Sequence, residues 1–81
     1  MYSYNVSKFY DTKAFLKACA LIEAGVSGYR KRDLIVDVDG TLLQIYYTGQ
    51  GEITVWNDYE VGAVFVDSEV NLDHLNLSAN W

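Results

Sequence analysis

Two alternating apolar runs meet at Asp39-Gly40, and that junction constrains the chain more than any other feature. Leu34, Val36 and Val38 alternate with Ile35 and Asp37. Thr41, Leu43, Ile45 and Tyr47 alternate with Leu42, Gln44 and Tyr46. A period of two is the side-chain period of a strand with one buried face. Asp-Gly between such runs signals a hairpin, because a two-residue loop needs positive φ at both positions. That loop sets Val38 against Thr41, Val36 against Leu43 and Leu34 against Ile45, all on one side of the sheet. The middle of the chain is thereby committed to antiparallel pairing.

The flanks fit around this hairpin. Tyr2, Tyr4 and Val6 alternate with Ser3, Asn5 and Ser7, which predicts a short strand at residues 2–6. Asp11 or Thr12 can cap a helix over residues 12–24, whose Phe15, Ala18, Cys19 and Ile22 share one face. Gly25 is a stop that can accept a left-handed conformation. Residues 27–33 read as a loop that concentrates Arg30, Lys31 and Arg32. Residues 48–52 make the next connection, and Ile53 and Val55 continue the buried face if that loop has five residues. Asn57-Asp58 is a turn candidate. Residues 59–66 read as a further strand, with the register of this last hairpin open. In the tail, Leu72 and Leu75 suit a helical turn, whereas Leu75 and Leu77 suit a strand. The predicted fold class is α+β, a single compact domain over residues 1–81. One N-terminal strand and one helix pack on an antiparallel meander sheet of four to five strands.

Composition limits the function classes. With 81 residues, 51% of them apolar, the chain can bury one core but cannot build a barrel or a doubly wound sheet. No run approaches the roughly 18 apolar residues of a membrane span. The start, Met1-Tyr2-Ser3-Tyr4-Asn5, lacks the basic and apolar regions of a signal peptide, so a cytoplasmic location is expected. Cys19 is the single cysteine and His74 the single histidine, which leaves no internal disulfide and no cysteine- or histidine-based metal site. Asp37-x-Asp39-Gly40 has Ile35 where a calcium loop needs its first acidic ligand, and no glutamate closes the loop. No cofactor is expected.

The segment Leu34-Ile35-Val36-Asp37-Val38-Asp39-Gly40-Thr41-Leu42-Leu43 resembles the first motif of the haloacid-dehalogenase-like phosphatases. The resemblance implies a phosphoryl-accepting nucleophile at Asp37, a general acid/base at Asp39 and a magnesium ion held by both. It spans ten residues. The family also needs a later lysine or arginine for the phosphoryl group, and no basic residue follows Arg32. It needs a parallel sheet with crossover helices, whereas the chain after Thr41 reads as strands joined by short turns. A hairpin is the stronger reading, and the chain is expected not to be an enzyme.

Charge points elsewhere. The net charge of −5 hides a segregation. All six cations, Lys8, Lys13, Lys17, Arg30, Lys31 and Arg32, lie in the first 32 residues beside only Asp11 and Glu23. Residues 33–81 carry nine carboxylates and no cation. Such a stretch attracts basic surfaces and repels nucleic acid. Three doublets recur at i, i+2: Asp37 with Asp39, Asp58 with Glu60, and Asp67 with Glu69. On an extended strand each pair would project from one face roughly 6.6–6.8 Å apart, near the spacing of alternate base pairs.

The alternation also predicts an outer sheet face holding Ile35, Leu42, Gln44, Tyr46, Thr54 and Trp56 with Asp37, unless the tail covers it. Tyr46 and Trp56 would then anchor a partner. Small acidic α+β proteins of this composition resemble phage anti-defence inhibitors, such as anti-CRISPR proteins and inhibitors of DNA-repair glycosylases. That resemblance carries no residue roles. The expectation is a non-catalytic inhibitor that binds a basic, nucleic-acid-binding protein as a nucleic-acid mimic. It would use Asp37, Asp39, Tyr46, Trp56, Asp58, Glu60, Asp67 and Glu69, with no direct nucleic-acid or membrane partner. The alternative is a homodimerising structural or regulatory module, paired through an edge strand or the aromatic face.

Overall fold

The computed structural model describes all residues, 1–81. The chain runs β1 (Tyr2–Ser7), α1 (Thr12–Gly25), β2 (Arg30–Lys31), β3 (Ile35–Val36), β4 (Leu42–Thr48), β5 (Gly51–Asp58), β6 (Ala63–Ser68) and a final 3-10 turn, Asp73–Leu75. The strands form one antiparallel sheet of order β1-β6-β5-β4-β2, and β3 also pairs with β4. This is the α+β arrangement the sequence predicts. No helix is long and apolar enough to cross a membrane.

Asp11 caps α1, its carboxylate accepting from the Ala14 amide at 3.1 Å. Phe15, Ala18, Cys19 and Ile22 are buried against the sheet, as their spacing requires. Gly25 is the last helical residue, and its φ is not positive. The reason for glycine here is close approach: a Cβ would overlap the Leu75 side chain. Leu72, Leu75 and Leu77 join the core on the helix side, together with Tyr46, Ile53, Val55, Val64 and Val66. The tail therefore thickens the helical layer and leaves the other sheet face uncovered.

Several boundaries move. Arg30–Lys31 is a short strand on β4 instead of loop. Of residues 34–38, only Ile35–Val36 pairs with β4. The loop at Asp39-Gly40 has three residues, not two. The Gly40 amide donates to Asp37 O at 3.0 Å, and the Asp37 amide donates to Thr41 O at 2.9 Å. Gly40, at φ 93°, takes the bulge position that follows a type I turn. Ile35 thus opposes Leu43, one residue away from the predicted register.

The next connection is also tighter than predicted. Thr48 pairs with Gly51, and Thr48 Oγ1 accepts from the Gln50 and Gly51 amides at 3.0 and 3.1 Å. Tyr46 therefore opposes Ile53. The last hairpin turns at residues 59–62, with Gly62 at φ 73°, so Asn57 and Asp58 belong to β5 and Tyr59 precedes the strand.

These shifts invert one strand. Leu42, Gln44 and Tyr46 lie on the helix-covered face with Ile53 and Val55. Leu43, Ile45 and Tyr47 lie on the open face with Ile35, Thr54 and Trp56. Since side chains alternate, a one-residue slip moves a whole strand's set to the other face.

Candidate interaction surfaces

The open face is ordered in rows by the strand register. One row runs Arg30, Tyr47, Glu52, with Glu69 next in line because its amide donates to Glu52 O at 2.9 Å. The next runs Ile45, Thr54, Asp67, Ser3, and the next Ile35, Leu43, Trp56, Phe65, Asn5. Arg32 joins the basic margin, its guanidinium donating to the Tyr47 hydroxyl at 3.3 Å. The centre is apolar, with Trp56 stacked on Phe65 at 5.7 Å and 11°. The indole Nε1 of Trp56 has no hydrogen-bond partner. The β2 edge of this face is therefore basic and the ends of β5 and β6, inside the neutral edge strand β1, are acidic, with Leu43, Ile45, Trp56 and Phe65 as the apolar part.

A second surface forms at the end of the sheet where the 37–41 and 58–62 turns meet. The Tyr59 amide donates to Thr41 Oγ1 at 3.0 Å. The Tyr10 hydroxyl donates to Gly40 O at 2.7 Å, and its ring meets Tyr59 edge-on at 5.3 Å. These contacts gather Asp37, Asp39, Asp58 and Glu60. Three of the four are held by their own turns. Asp37 accepts from the Val38 amide at 2.7 Å, Asp39 from Thr41 at 2.9 Å and Asp58 from Val61 at 3.0 Å. The amide and hydroxyl of Thr41 hold the Asp39 carboxyl below its ordinary range. The chain's one salt bridge joins Lys31 to Glu23 at 2.9 Å, so none of the four has an internal cation. Among them stand exposed apolar side chains: Val38 at 104% exposure, Val61 at 69% and Tyr59, beside Tyr10, at 60%.

Of the predicted site residues, Asp37, Asp39, Asp58 and Glu60 come together here. Their doublets do not run along extended strands: Asp37 and Asp39 lie in the 37–41 turn, Asp58 ends β5, and Glu60 lies in the 59–62 turn. Asp67 and Glu69 belong to the acidic margin of the open face, away from the other four. Trp56 is on the open face, as expected. Tyr46 is not available as an anchor: it is fully buried, and its hydroxyl donates to Glu23 Oε2 at 2.6 Å. Burial and the neighbouring Glu23 carboxylate push that phenol's pKa far up.

Asp37 and Asp39 close an antiparallel hairpin, a different setting from the parallel sheet that the phosphatase motif requires. No group of three or more His, Cys, Asp or Glu side chains stands close enough to hold a metal ion. The alternation did not single out Val38, Tyr59 and Val61 as exposed. Their signal is valine and tyrosine set among Asp and Gly, where turns ordinarily carry polar residues. No family model, curated protein or solved structure matches the chain.

Proposed function

We propose that the chain is a non-catalytic inhibitor that takes a basic, nucleic-acid-binding protein on the acidic end of its sheet, as anti-defence proteins of the anti-CRISPR type do. The observation that carries this reading is the gathering of Asp37, Asp39, Asp58 and Glu60 around exposed Val38, Tyr59 and Val61. Carboxylates held by turn amides meet a cationic partner without first being ordered, which lowers the cost of binding. The apolar side chains between them supply contact area that screened surface charges alone do not.

The test uses the protein captured by the wild-type chain from lysate of the host cell. Its affinity is measured from low to high salt, with and without competing duplex DNA. The expected result is binding that weakens with salt and is displaced by DNA. Asp37→Asn/Asp39→Asn keeps acceptors for the turn amides and removes two charges, so association should slow with the fold intact. Asp58→Lys/Glu60→Lys should weaken binding further. Salt-independent binding that tolerates both variants overturns the reading.

A further inference from the structure

The open sheet face presents a separate problem. Leu43 and Ile45 are half-exposed there, while Gln44 and Tyr46 are buried behind them. Helix and tail both pack on the opposite side, so the apolar centre is covered only by its own neighbours on the face, which leave Leu43, Ile45, Trp56 and Phe65 partly exposed. Conflicts of this kind between local polarity and burial concentrate at functional positions. We propose that this face is a two-fold interface between two copies of the chain, independent of the acidic-end reading.

Charge identifies the occupant. Arg30 and Arg32 flank the apolar centre on the β2 side, and Glu52, Asp67 and Glu69 flank it on the β5–β6 side. A uniformly acidic or basic partner would meet like charge along one margin. A second copy meets opposite charge along both. With the two-fold axis in the interface and along the strands, lateral order reverses while the level along each strand is kept. With that axis between β4 and β5, β2 of one copy lies over β6 of the other, and β1 falls outside the contact. Arg30 and Arg32 face Glu69 and Asp67, and Leu43 lies over Trp56.

Face-to-face sheets pack about 10 Å apart, as two such surfaces allow. Four overlapping strand positions (β2 with β3, β4, β5 and β6) about 4.8 Å apart and about six residues long, at about 3.3 Å each, span roughly 400 Å² per copy. The pair would then bury about 800 Å², below the usual size of a specific interface. The dimer is accordingly weak and concentration-dependent.

Sedimentation of the full chain over a wide concentration range tests this directly, using Arg30→Glu/Arg32→Glu and Asp67→Arg/Glu69→Arg. Wild type is expected to dimerise reversibly. Each variant alone places like charges at both margins and should self-associate at least tenfold more weakly, given what like-charge contacts cost in interfaces. Mixed in equal amounts, the two variants carry complementary margins and should form a heterodimer. That recovery also shows both variants to be folded. Asp37→Asn/Asp39→Asn, at the other surface, should leave dimerisation unchanged, so this proposal and the acidic-end reading fail separately. A wild type that stays monomeric, variants that dimerise undiminished, or a mixture that stays monomeric overturns the proposal.

Discussion

On the helix-covered face of the sheet, Ile53, Val55, Val64 and Val66 are fully buried, and so are Asn57 and Ser68. On the other face, Leu43, Ile45, Trp56 and Phe65 remain half-exposed. Polarity does not separate the two faces. What separates them is whether α1 and the tail lie over them, and which register brings a side chain there. Most of the polar groups inside find a partner, the exception being Asn57 Nδ2, which is buried and unpaired. Gln44 Nε2 donates to Arg32 O at 2.5 Å, and Asn57 Oδ1 accepts from the Asp11 amide at 3.0 Å. Ser68 Oγ donates to Val70 O at 2.6 Å and accepts from the Val70 amide at 2.9 Å. A buried polar group with a partner costs little, and one without is expensive.

The sharpest way to break this comparison is to make the same truncation on each face. Ile53→Ala removes a fully buried side chain and leaves a cavity, which should cost about 3 kcal/mol. Ile45→Ala, on the open face, should cost under about 1 kcal/mol. Urea denaturation at a concentration where the chain is monomeric measures both. Equal losses would mean that the open face is covered in solution by part of the same chain.

The sequence makes the elements legible but not the side of the sheet that each residue faces. The helix and its buried stripe follow from spacing alone, because a 3.6-residue period is read within one element, and Asp11 is one of the two caps the sequence offers. The face of β4 depends on loop length, and Asp-Gly serves a two-residue loop or, as here, the end of a three-residue one. The gathering of Asp37, Asp39, Asp58 and Glu60 needs two turns to meet across β4 and β5, which no local pattern encodes. A two-residue loop at Asp39-Gly40 places Tyr46 outward, and the third loop residue turns it inward. There its hydroxyl donates to Glu23, twenty-three residues earlier, a contact no local pattern shows.

The turn that fixes this parity can be probed at smaller cost. Gly40 has φ 93°, where an L side chain is strained, and the nearest atom to an added Cβ is the Tyr10 hydroxyl at an ordinary 3.6 Å. Gly40→Ala should therefore cost about 1 kcal/mol through backbone strain alone. Gly49→Ala makes the control: its φ is not positive and a Cβ there meets nothing within 4 Å. Thermal unfolding of the two variants should separate them. Similar melting temperatures would show that the three-residue loop does not hold β4 in place.

The smallest expected effect lies where the covered face meets the basic edge. Glu23, on α1, pairs with Lys31 on β2 and accepts from Tyr46 on β4, so one carboxylate ties three elements. Lys31 and the Tyr46 hydroxyl, in that order, hold its carboxyl below the ordinary range, and Glu23 in turn raises the Lys31 ammonium. A carboxyl lowered by folding stabilises the fold above its unfolded pKa and loses that contribution as pH falls through its folded value. An ammonium raised by folding stabilises below its unfolded pKa, and the contribution disappears as pH rises through its folded value. The cluster therefore contributes across the neutral range and weakens at both extremes. Both side chains are partly exposed, so solvent keeps the magnitude small. Asp39, lowered by Thr41, adds to the acid side only. Denaturation midpoints followed from neutral to acid pH should fall below the ordinary carboxylate range. Tyr46→Phe removes one donor to Glu23 and should make that fall shallower. Lys31→Met should flatten the acid end of the profile more than Tyr46→Phe does, since it removes the stronger donor to Glu23. A Lys31→Met profile parallel to wild type down to acid pH would show that the Glu23–Lys31 pair contributes nothing to stability.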